Sequence, residues 1–135
     1  MTDPILFKLF IESIRQTDGE PTEPPVIIAI DERGVQWEIP IGMCEALAIQ
    51  NALDEVAVSR PLTHDLLLTL TEQLDVPVAR VIIDDFSNDT YYARIILNKP
   101  DSEVSLDCRP SDGIALALRA HADIFIAGTL TTPNV

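Results

Sequence analysis

Val104-Ser-Leu-Asp-Cys-Arg-Pro-Ser-Asp-Gly-Ile-Ala-Leu-Ala-Leu118 reads as a strand that turns a tight corner into a helix. Val104, Leu106 and Cys108 alternate with Ser105 and Asp107, the period of a half-buried strand. Pro110 suits the first helical position, where the N–H it lacks would go unpaired anyway. Asp112, two residues on, sets a negative charge where the helix dipole and the free N–H groups favour it. Ile114 to Leu118 is apolar almost all round, which predicts a helix buried on most of its surface. The corner Asp107–Asp112 therefore gathers two carboxylates and a guanidinium at a buried helix start.

Upstream, residues 5–14 are rich in β-branched and aromatic residues and predict a first strand. Thr17–Pro25, with Asp, Gly and three prolines, predicts a loop. Val26–Asp31 and Val35–Ile41 flank Glu32-Arg33-Gly34, a hairpin turn in which Gly takes the left-handed position. A helix is expected from Gly42 to about Val56. A second, Thr63–Leu74, has Thr63 as its cap and Leu66, Leu67, Leu70 and Leu74 as an apolar stripe. Strands follow at 79–84, 90–98 and 103–108, with Asp85–Asp89 as a hairpin connection. The opening stretch's helix then leads to a short last strand, Ile124–Ala127.

Shifted by 67 positions, the first half lies on the second: Trp37 falls on Val104, Ile39 on Leu106, Glu45 on Asp112 and Ala48 on Ala115. Val26–Ile30 falls on Ala93–Leu97 without a gap. The fold expected is α+β, mixed β-sheets with three helices, built as a duplicated strand-strand-strand-helix unit. Residues 1–128 form one domain and 129–135 a loose tail.

With 135 residues there is room for one core, and an apolar share of 47% is that of a globular chain. No apolar run is long enough to span a membrane, and the first residues lack a signal peptide's layout. Cys44 and Cys108 have no metal-ligand spacing, so reduced thiols in the cytoplasm are expected. A net charge of −13 repels polyanions and argues against tight, phosphate-driven nucleic-acid binding.

No Gly-rich phosphate loop, zinc spacing or Gly-x-Ser-x-Gly elbow is present. The polar residues near helix starts are Glu45, then Arg60, His64 and Asp65, then Asp107, Arg109, Ser111 and Asp112. Gathered carboxylates can hold a divalent cation that activates water against a phosphodiester, and arginines can clamp its oxygens. His64 can move a proton near neutral pH. Each also has a structural reading: acids near helix starts match the dipole, arginines pair with them, and His64 is a surface helix residue. Asp107 is harder to assign, since a carboxylate on an apolar strand needs a partner if buried.

Arg60-Pro-Leu-Thr-His-Asp-Leu-Leu-Leu68, Asn88-Asp-Thr-Tyr-Tyr-Ala93 and Asp107-Cys-Arg-Pro-Ser-Asp112, in this order, resemble the bifunctional nuclease domain family. Ile39-Pro-Ile-Gly-Met-Cys-Glu-Ala46 resembles that family's first-half motif, and the likeness runs to Ile126. The resemblance implies cleavage of DNA and RNA with little sequence preference. Carried onto matching positions, it implies catalytic roles for Asp107, Asp112, Arg109, Glu45, Asp65 and His64. Arg60, Arg109 and Ser111 would hold phosphate, Thr63 belongs to the same set, and Asp107 with Asp112 would hold Mg²⁺ or Mn²⁺. Gly113 departs from the family's usual Ala, at some expense in helix propensity, and Asp123 from its Pro. The other reading is a non-enzymatic interaction or regulatory module. A homo-oligomer is expected, pairing through residues 5–14 as an exposed edge strand.

Overall fold

The computed structural model describes residues 3–16 and 23–132, so most of the Thr17–Pro25 loop and the last three residues lie outside it. The described chain runs β1 (Leu6–Arg15), β2 (Val26–Asp31), β3 (Gln36–Pro40), α1 (Met43–Leu53), α2 (Thr63–Gln73), β4 (Val78–Ser87), β5 (Thr90–Asn98), β6 (Glu103–Cys108), α3 (Pro110–Ala120) and β7 (Asp123–Ala127). All seven strands join one mixed sheet, in the order β3-β2-β1-β7-β4-β5-β6. The class is α+β, with a single sheet rather than several.

Each half is an antiparallel meander followed by a helix: β1-β2-β3-α1, then β4-β5-β6-α3. The shift of 67 positions carries Met43–Leu53 onto Pro110–Ala120 residue for residue. The two meanders flank β7, which is antiparallel to β1 and parallel to β4. Because β6 and β7 point the same way, the chain must cross over the sheet between them, and α3 is that crossover. Its position explains its composition. Ile114, Ala115, Leu116 and Ala117 are all buried, against β4, β5 and β7 on one side and α1 and α2 on the other.

Gly113 is explained here too. A Cβ on it would stand 2.8 Å from Val81 Cγ1 and 3.2 Å from Cys108 Sγ, so the missing methyl lets α3 approach the sheet. The core around it comprises Ile27, Trp37, Ile39, Ile49, Val81, Ile83, Ile114 and Ile126. Asp31 ends β2 inside the protein at 2% exposure. It accepts hydrogen bonds from Trp37 Nε1 (3.0 Å), Arg33 Nη2 (2.7 Å) and the backbone N–H groups of Arg33 and Val35. Burial raises its pKa, but these donors outweigh burial and hold the carboxyl at about 2.

Two expectations are corrected. The strand at 5–14 is not an edge: β1 lies between β2 and β7, and the edges are β3 and β6. Pairing of copies through β1 is therefore blocked by its own neighbours. The apolar stripe of the second helix is not buried either. Leu66, Leu70 and Leu74 are 60%, 52% and 64% exposed, and Met43 and Leu47 on α1 are exposed as well. Of the expected tail, Leu130 is partly buried against the core, and residues 133–135 lie outside the described residues. No helix among the described residues is long and apolar enough to cross a membrane.

Candidate functional site

All three helices carry an acid at the third position: Glu45, Asp65 and Asp112. On α2 that acid is structural. Asp65 Oδ2 accepts the N–H of Leu62 at 2.9 Å, while Oδ1 accepts Arg119 Nε at 2.8 Å. The Leu62 N–H first, and Arg119 second, hold the Asp65 carboxyl below the usual range. Thr63, expected to cap this helix, is instead its first residue, exposed, and the capping bond comes from Asp65.

Arg119 was not anticipated. It reaches from α3 to Asp65 on α2 and to the carbonyl of Ala48 on α1 (3.1 Å), and so fixes the three helices relative to one another. Its signal was a guanidinium on a helix otherwise apolar, a charge that burial obliges to find partners.

With the helices so fixed, the starts of α1 and α3 converge on Arg109. Its Nε and Nη2 donate to Asp112 at 2.7 and 3.1 Å, and its Nη1 lies 2.9 Å from Glu45 Oε1. Glu45 folds back over its own helix start, where a Cβ on Gly42 would collide with Oε2. The two equivalent corners of the duplication thus share one guanidinium. The second oxygen contact of Asp112 is His64: Nε2 and Oδ1 are 3.0 Å apart. His64 is only 8% exposed, so it is no surface helix residue. Burial raises the pKa of Asp112, but Arg109 and then His64 more than offset this and hold it below normal. The same bonds raise the pKa of Arg109, keeping it charged.

These groups line a pocket of about 260 Å³ with Cys44, Leu47, Leu62 and Thr63. Of the expected residues, the structure brings together Glu45, His64, Arg109 and Asp112. Asp65 stands one residue away and acts through Arg119. Ser111 is buried and lines a neighbouring pocket on which Arg109 also borders. Arg60 is exposed in the link before α2, and among the described residues no acid pairs with it.

Asp107 does not join them. Cys108 faces α3, so its neighbour in the strand points to the other face of the sheet. There Asp107 stands opposite Arg94, which pairs with Asp84 at 2.7 Å. An ion shared by Asp107 and Asp112 does not fit this arrangement. The oxygens of Glu45 and Asp112 face the Arg109 guanidinium where a cation would sit. Among the described residues no three His, Cys, Asp or Glu side chains gather as a metal site.

Comparison with known proteins supplies a family. The model of the bifunctional nuclease domain matches residues 26–133. An uncharacterized protein of Mycobacterium tuberculosis is 35% identical over 108 residues, which is 79% of this chain and 64% of the relative. Bifunctional nuclease 1 of Oryza sativa is 31% identical over 116 residues, 82% of this chain and 34% of the relative. Bifunctional nuclease 1 of Arabidopsis thaliana is 27% identical over 105 residues, 74% of this chain and 32% of the relative. The chain thus spans just under two thirds of the mycobacterial relative and about a third of the plant ones. A family match over this much of the sequence, with the helix starts assembled as described, assigns the chain to the bifunctional nuclease domain family.

Proposed function

We propose that the protein cleaves phosphodiester bonds of DNA and RNA with little sequence preference, using His64 as proton acceptor. The observation that carries this is the His64–Asp112 contact of 3.0 Å in a pocket shared with Arg109. Asp112 accepts the Nε2 proton, which leaves Nδ1 as the basic nitrogen. The base takes a proton from the attacking hydroxyl, which is water for DNA and water or the ribose 2′-hydroxyl for RNA. The new P–O bond forms as the bond to the leaving oxygen breaks, and that oxygen takes a proton from solvent water while the imidazolium returns its own to solvent. Arg109 has five N–H donors, and those not used on Glu45 and Asp112 are available to the phosphate.

His64→Gln and Asp112→Asn are expected to lower cleavage by about 10²–10⁴-fold while the chain stays folded. Asp107→Asn is expected to leave it unchanged. The purified chain should cleave equally well in EDTA, because no step above uses a cation. Loss of cleavage on chelation would overturn this route, and cleavage equal to the parent's in both site variants would overturn the whole reading.

A second reading, an interaction module without catalysis, is favoured by one observation: each helix-start acid has an arginine partner. It predicts a stability loss of about 1–3 kcal/mol in the Asp112 variant and no cleavage by the parent. In either case we place the protein in the cytoplasm, with free thiols at Cys44 and Cys108. We also place it in a homo-oligomer, through the exposed leucines of α2 instead of β1.

A further inference from the structure

The Asn88–Ala93 motif plays no part in the chemistry above, nor does the larger pocket it walls. That pocket, of about 410 Å³, shares Arg109 with the His64 pocket. We infer that it is a nucleoside subsite, taking the base and sugar of the nucleotide whose phosphate lies on Arg109. The inference rests on the phosphodiesterase reading and extends it by saying where the polymer runs.

Size separates the two pockets. Sites for small molecules span roughly 300–1,000 Å³. The His64 pocket is below that range and suits a phosphoryl group, while its neighbour lies within it. The lining also differs. Pro40, Pro110 and Ile39 offer apolar surface, and Asp89, Thr90 and Ser111 offer polar groups. That combination matches a flat, largely apolar ring with hydrogen-bonding edges. Asp89 is acceptor-only when ionised, so it repels a phosphate and favours the N–H groups of a base.

The hairpin that presents Asp89 is built for its place. Asn88 and Asp89 have φ of 52° and 58°, the left-handed pair of a two-residue turn between Ser87 and Thr90. Asn and Asp are the non-glycine residues that tolerate this conformation best. Tyr91, next along, is 7% exposed and walls the same pocket. Among the described residues its hydroxyl is the buried side-chain oxygen without a hydrogen-bond partner. Tyr91 also lines the adjoining pocket beside Phe86, so its ring is part of the wall between the two.

The test is titration calorimetry of the full chain with 5′-AMP and, separately, inorganic phosphate. 5′-AMP should bind at least about tenfold more tightly than phosphate. Thr90→Trp, a substitution at an exposed turn residue that fills the pocket, should abolish that difference and leave phosphate binding intact. Equal affinities for the two probes, or unchanged 5′-AMP binding in Thr90→Trp, would overturn the subsite. Tight 5′-AMP binding by a chain that cleaves nothing would keep the subsite and sink the nuclease reading. Normal cleavage with no preference for 5′-AMP would do the reverse.

Discussion

Asp31 and Asp112 are both acids with arginine neighbours, yet burial gives them different work. Asp31 has a fully buried side chain and donors from three residues, Arg33, Val35 and Trp37, which makes it a device for closing the β2–β3 hairpin over Trp37. Its folded pKa of about 2 is depressed from 3.8, so its contribution is complete above pH 4 and is lost as pH falls towards 2. Asp31→Asn should therefore cost about 2 kcal/mol at neutral pH, with the gap from the parent closing near pH 2. Urea unfolding at the two pH values measures this. A gap that persists in acid would mean that shape, not charge, is what the carboxylate provides. Asp112 is half-buried and borders open space, so its bonds to Arg109 and His64 leave those groups able to meet a ligand.

Among the elements, α3 shows propensity and packing in opposition. By helix propensity alone, Gly113→Ala would stabilise by up to ~1 kcal/mol. The added methyl would meet Val81 Cγ1, whose branched, fully buried side chain has nowhere to move. Overpacking of this kind costs about 1–3 kcal/mol, so net destabilisation is expected in thermal melts. A higher melting temperature would show that α3 can shift outward. Propensity was readable from residue 113 and its neighbours; the contact with Val81, thirty-two positions earlier, was not. The burial of His64 is hidden from the sequence for the same reason. Its helix face follows from spacing, but its burial depends on α3 lying against α2.

Taken whole, the molecule is strongly acidic yet exposes an apolar strip of Leu62, Leu66, Leu70 and Leu74 at four-residue spacing along α2. Exposed apolar patches this continuous usually mark association. Leu66→Glu with Leu70→Glu should lower the mass measured by light scattering and leave unfolding unchanged, since neither side chain is in the core. A parent that is already monomeric at high concentration would refute the proposed self-association. The strip also rims the His64 pocket at Leu47 and Leu62, so association there would narrow access to it.

What the sequence determined by itself was local or repetitive. Strand period, the proline and acid at the start of α3, and the match of two halves all follow from residues close together or at one fixed offset. The duplication foretold two equivalent corners, each with an acid at the third helical position. Only the tertiary structure decided that both corners share Arg109, that Asp107 faces away, and that β1 lies inside the sheet. Those outcomes depend on how the sheet is ordered and how α3 crosses it, which are set by burial of apolar surface between distant segments and by no single stretch of chain.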